Sequence, residues 1–135
     1  MAPQRSIVEA FEVRPGMKIG LVNEPDDIDA LLGTLPPGTE VFERASEPLD
    51  LLIYFSDELG NIKTRLPYLA RFVADHASMW MVHPRGGLTD SSEEATAAVV
   101  SAGINAGLTV EGTAVLNDHW SAVRFKPPAS RRTRP

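Results

Sequence analysis

The residues with the most chemistry in this chain stand where apolar runs stop. His83, in His83-Pro84-Arg85, ends one such run. An ordinary histidine titrates at about 6.5, so His83 can act as a general base, with Asp118 as a carboxylate to orient it. The bland alternative is a strand-end histidine bonded to backbone. Arg85 lies ahead of a predicted helix, whose amino end also favours anions, so it can hold a phosphate or carboxylate; otherwise it is a solvated loop arginine. Trp120, followed by Ser121, offers either a stacking platform or core packing. Arg124 alternates with Trp120 and Ala122 on one face and is expected to pair with a carboxylate or to snorkel.

Other chemistry is excluded by residue type. The chain has no cysteine, so thiolate nucleophiles, disulfides and thiolate metal sites are ruled out. His76, His83 and His119 lack metal-ligand spacing, and the carboxylates are dispersed, so no metal is expected. No Gly-x-Ser-x-Gly elbow, P-loop or His-Glu-x-x-His motif occurs.

These residues need a scaffold, and 135 residues suffice for one domain with a single core. At 43% hydrophobic and 23% charged, the composition is that of a soluble globule. The net charge is −5 although Lys126, Arg131, Arg132 and Arg134 cluster at the C-terminus, so the body is more acidic still. That argues against nucleic-acid binding except weakly through the basic tail. No stretch has the length of a membrane span or a signal-peptide core, and a cytoplasmic protein is expected.

The scaffold is organised around residues 13–25, VRPGMKIGLVNEP: a Pro-Gly turn, an apolar run and a polar stop at Asn23-Glu24-Pro25. A continuous apolar run between turn signals predicts a parallel strand covered on both faces. Residues 1–12 form an N-terminal arm or helical turn in which Ile7, Val8 and Phe11 can pack on the domain. A short helix follows the first strand, carrying Ile28, Leu31, Leu32 and Leu35. Glu40–Glu43 predicts the second strand, and LDLLIYF (49–55) the central third. Helical spacing then runs through Ile62, Leu66, Leu69 and Val73, with Pro67 placing the helix start near Thr64 or a kink. Met79–His83 predicts the fourth strand, and residues 91–106 a helix with Ala95, Ala98, Val99 and Ala102 inward. Leu108–Leu116 and Trp120–Lys126 predict two antiparallel strands joined at Asn117-Asp118. The domain therefore covers 13–126, and 127–135 is expected to be a disordered basic tail. This order predicts an α/β fold: a mostly parallel six-stranded sheet, helices on both faces, and an antiparallel last strand.

RPGMKIGLVNEP resembles the opening of class I methyltransferase-like domains, and LDLLIYF resembles their "FDLV" strand. The segment from Leu69 to Val82 is similar to the helix and "LWVV" strand that follow, and the terminal hairpin to their last two strands. Over residues 13–126 the chain also resembles short bacterial proteins of a domain-of-unknown-function family, in its Pro-Gly-Met opening, Asn-x-Pro, Thr-Asp and Trp-Ser-Ala-x-Arg-Phe motifs. The resemblance implies a three-layer Rossmann-like sandwich with strand order 2-1-3-4-6-5. Where methyltransferases carry a glycine-rich cofactor loop, this chain has Asn23, Glu24 and Pro25, so no cofactor is expected. Glu43 matches the acidic residue that would bind a ribose.

In that order the carboxyl ends of the parallel strands share one edge of the sheet, and the reversed sixth strand begins there. Asn23, His83, Arg85 and Trp120 are then expected to form one cluster, with Ser56, Asp118 and Ser121 along the same rim. The implied function is a non-catalytic module binding a protein partner or small anionic ligand at this edge. The alternative is a small enzyme acting on an anionic metabolite with His83 and Arg85.

Overall fold

The structure is a computed structural model that describes residues 6–42, 49–55, 73–84, 92–116 and 120–126. The elements are α1 (Ile7–Ala10), β1 (Lys18–Val22), α2 (Ile28–Leu32), β2 (Glu40–Phe42), β3 (Leu49–Phe55), β4 (Val73–Pro84), α3 (Ser92–Asn105), β5 (Thr109–Val115) and β6 (Trp120–Lys126). They build a six-stranded sheet in the order β2-β1-β3-β4-β6-β5. Pairing is parallel from β2 through β4, and β6 runs antiparallel between β4 and β5. The expected order and the reversed last strand are both present.

The apolar runs are continuous because both sheet faces are covered. On one face Leu52, Tyr54, Met79, Met81, Val123 and Phe125 pack with Val99 and Ala102 of α3. On the other, Leu51, Ile53, Phe55, Trp80 and Val82 pack with Ile7 and Phe11 and with Leu31 and Leu32 of α2. Phe11 stacks on Trp80 with ring centroids 4.0 Å apart and 7° between the planes. Residues 7–11 are thus a helical turn docked into the core. Ser6 caps that turn, its Oγ accepting from Glu9 N at 3.2 Å. No helix among the described residues is long and apolar enough to cross a membrane.

Three sequence expectations are corrected. Helix α2 closes at Gly33, φ +83, so the apolar stripe ends at the buried Leu31 and Leu32, and Leu35 beyond it is 36% exposed. β4 begins at Val73, inside the stretch that helical spacing had claimed, because Val73 pairs with Leu49 of β3. Sheet pairing there overrides local periodicity. The inward face of α3 carries Val99, Ala102 and Gly103, whereas Ala98 is exposed. The cause of that rotation is Gly103, where an added Cβ would overlap the Phe125 ring. With no side chain at 103, the helix backbone lies directly on the aromatic. The helix ends in a Schellman motif: Gly107, φ +89, donates to Ile104 O and Leu108 to Gly103 O, each at 3.0 Å. The predicted helix near Thr64 and the tail at 127–135 lie outside the described residues.

Candidate functional site at the carboxyl edge of the sheet

The chain reverses direction in strand order between β1 and β3, so ligands of this architecture sit where those strands end. The last register pair of the two strands is Val22 with Tyr54. Asn23, the next residue, has φ +59, a left-handed conformation that asparagine tolerates better than most side chains. From there its Nδ2 donates to the carbonyl of Phe55 at 2.8 Å. The side chain therefore supplies one further cross-strand bond after the backbone ladder stops. Glu24 and Pro25 follow, and Pro25 O accepts from Ile28 N at 3.1 Å to open α2. Asp27 at the helix start makes no side-chain capping bond.

His83 and Ser121 are register partners across β4 and β6, as are Pro84 and Trp120. His83 is 0% exposed. Its Nε2 lies 3.2 Å from Thr96 Oγ1 of α3 and shares a hydrogen bond with it. A helix side chain is thus among the partners of this strand-end histidine, in addition to the backbone bond or catalytic role that its sequence position suggests. Ser121, 6% exposed, faces the same layer because directly opposed residues on paired strands share a face. Trp120 is one position along and so points to the other layer. There it packs edge-on against Phe55, with centroids 5.7 Å apart and planes at 83°. At 9% exposure it is a core residue, the second of the two roles considered for it.

The expected cluster is accordingly divided. Asn23 and Trp120 meet through Phe55, one at its carbonyl and the other at its ring. His83 and Ser121 lie behind the sheet, toward α3. The strand ends share one edge but present these side chains to different layers. Glu43, Ser56, Arg85 and Asp118 lie outside the described residues. Arg124 behaves as expected: its Nε donates to Ser78 Oγ at 3.2 Å and its Nη1 is 3.8 Å from Glu12 Oε2.

Thr96 and Phe55 were not singled out from sequence. Thr96 had a usable signal, since it sits three residues before Val99 on the buried helical stripe. Phe55 contributes through its carbonyl and its ring, and nothing in residue type announces a carbonyl.

Several solved structures share this topology. A TehB-like S-adenosylmethionine-dependent methyltransferase from Corynebacterium glutamicum aligns with a TM-score of 0.51 at 10% identity, over 87% of this chain and 83% of its own. A methyltransferase of the same cofactor dependence from Aquifex aeolicus gives 0.56 at 12% identity, covering 88% and 86%. Aeropyrum pernix fibrillarin, in complex with natively bound S-adenosyl-L-methionine, gives 0.55 at 12% identity, covering 83% and 67%. The fold is methyltransferase-like. Neither a family model nor a curated protein matches the chain.

Proposed function

We propose that this chain is a non-catalytic module of methyltransferase-like fold that binds a small anionic ligand or a protein partner at the carboxyl edge of its sheet, in a bacterial cytoplasm. The observation that supports binding without methyl transfer is the Asn23 bond to the Phe55 carbonyl. The switch point, where open α/β sheets receive their ligands, is here bridged by a side chain and followed by Pro25. A glycine loop brings bare backbone to the cofactor; Asn23-Glu24-Pro25 presents side chains and a fixed φ instead. These residues do not fit S-adenosylmethionine.

The enclosed ring of His83 weighs against the alternative, a small enzyme using His83 and Arg85. A general base must come within hydrogen-bond reach of the proton it removes. In this reading His83 and Thr96 anchor α3 to the sheet, and Arg85 supplies the cation for the anion.

Titration calorimetry with S-adenosylmethionine tests the reading, with no binding heat expected. A dissociation constant in the low micromolar range overturns it. A thermal-shift screen of phosphorylated and carboxylated metabolites then tests the ligand. A stabilisation of roughly 2.7 kcal/mol is expected at about 100 times the dissociation constant. Arg85→Ala should abolish that shift while changing stability by less than about 0.5 kcal/mol.

A further inference from the structure

At the opposite, amino edge of the sheet a cleft of ≈ 350 Å³ opens between the segment 11–17, the start of β3, the middle of β4 at Ala77 and Ser78, and the end of β6. That volume suits a small metabolite. Its apolar wall includes Phe11, Met17 and Leu51. Its polar wall includes Arg14 and Arg124. With Lys126 these make three cations against the carboxylates of Glu12 and Asp50, a local positive excess in a chain of net charge −5.

We propose that this cleft binds a small organic anion, a carboxylate or phosphate on an apolar body, with Arg124 as the anchoring cation. Arg124 projects from β6, an interior strand between β4 and β5, and the Nε–Ser78 Oγ bond at 3.2 Å fixes the plane of its guanidinium. A fixed planar fork is what bidentate recognition of a carboxylate or phosphate requires. Its counter-charge is incomplete: Glu12 Oε2 stands 3.8 Å from Nη1, beyond hydrogen-bond distance. Arg14, also on the cleft, has no side-chain partner among the described residues.

Glu12 is itself held in an unusual backbone conformation. It has φ +57, a left-handed backbone that a bulky side chain adopts only under constraint. Strain of this kind gathers at ligand sites. A carboxylate held loosely opposite a fixed arginine is a stand-in for the ligand's anion, which displaces it on binding. The ligand's apolar body then lies along Phe11, itself stacked on Trp80, and against Leu51. This site is separate from the carboxyl-edge reading and stands or falls without it.

The test is an amide-resolved NMR titration of the full chain with benzoate and with phenyl phosphate, and with benzamide as the neutral isostere. Saturable millimolar shifts are expected at Gly16, Leu51 and Ser78 with at least one of the two anions, and none with benzamide. Arg124→Gln should weaken binding about tenfold, the loss of one charged bidentate contact. Glu12→Gln should strengthen it severalfold by removing the competing carboxylate. If Arg124→Gln fails to fold, Arg14→Gln replaces it, with weaker binding expected. The proposal is overturned if neither anion gives saturable shifts at these amides, if benzamide matches the anions, or if Glu12→Gln leaves the affinity unchanged.

Discussion

Replacing Asn23 separates two contributions that the structure places on one residue. The first is the Nδ2 bond to the Phe55 carbonyl at 2.8 Å. Such bonds contribute about 0.5–1.5 kcal/mol net, and the exposure of Asn23 favours the lower end of that range. The second is the backbone at φ +59, which costs an ordinary L-residue roughly 1–2 kcal/mol and glycine almost nothing. Asn23→Gly loses only the bond, so it should destabilise by about 0.5–1 kcal/mol. Asn23→Ala loses the bond and takes on the backbone strain, so about 2 kcal/mol is expected. With a urea slope of roughly 1–3 kcal/mol/M, the alanine variant's unfolding midpoint should fall by about 1 M, and the glycine variant's by less than half of that. The informative result is the order, glycine above alanine, because glycine is otherwise the more costly substitution in a folded chain. Equal midpoints would show that backbone strain plays no part here. An alanine variant as stable as the parent would refute the cross-strand tie altogether.

Gly103→Ala would add helix propensity of about 1 kcal/mol at a solvated position, but here the new methyl overlaps Phe125, so a net loss of about 1–3 kcal/mol is expected in denaturant melts. Phe125→Leu in the same background should recover part of that loss, and additive effects would disprove the contact. Thr96→Val removes the hydroxyl bonded to His83 Nε2 and should cost about 1–3 kcal/mol, with Thr96→Ser recovering most of it. Calorimetry with S-adenosylmethionine should show no binding, before or after Asn23→Gly, because Pro25 still follows.

Much of the architecture is legible in the chain itself. KIGLV and LDLLIYF are apolar without alternation, which only strands covered on both faces sustain, and the intervening connections are long enough for parallel crossovers. That the last strand in the chain is reversed follows from the short connection between Val115 and Trp120. The shared edge of Asn23, His83 and Trp120 follows from direction alone. Their faces do not. A strand apolar at every position carries no phase, so no pattern within residues 79–83 says which side His83 takes; register against β6 decides it, and one residue's offset sends Trp120 the opposite way. Likewise β4 begins at Val73 because Leu49 offers it a partner, and α3 turns Ala98 outward because Gly103 must meet Phe125. The amino-edge cleft draws on residues 11–17, 50–51, 77–78 and 124–126, which only the closed sheet brings together. Local sequence sets what each segment can become, while register and close packing between distant segments set which side chains meet.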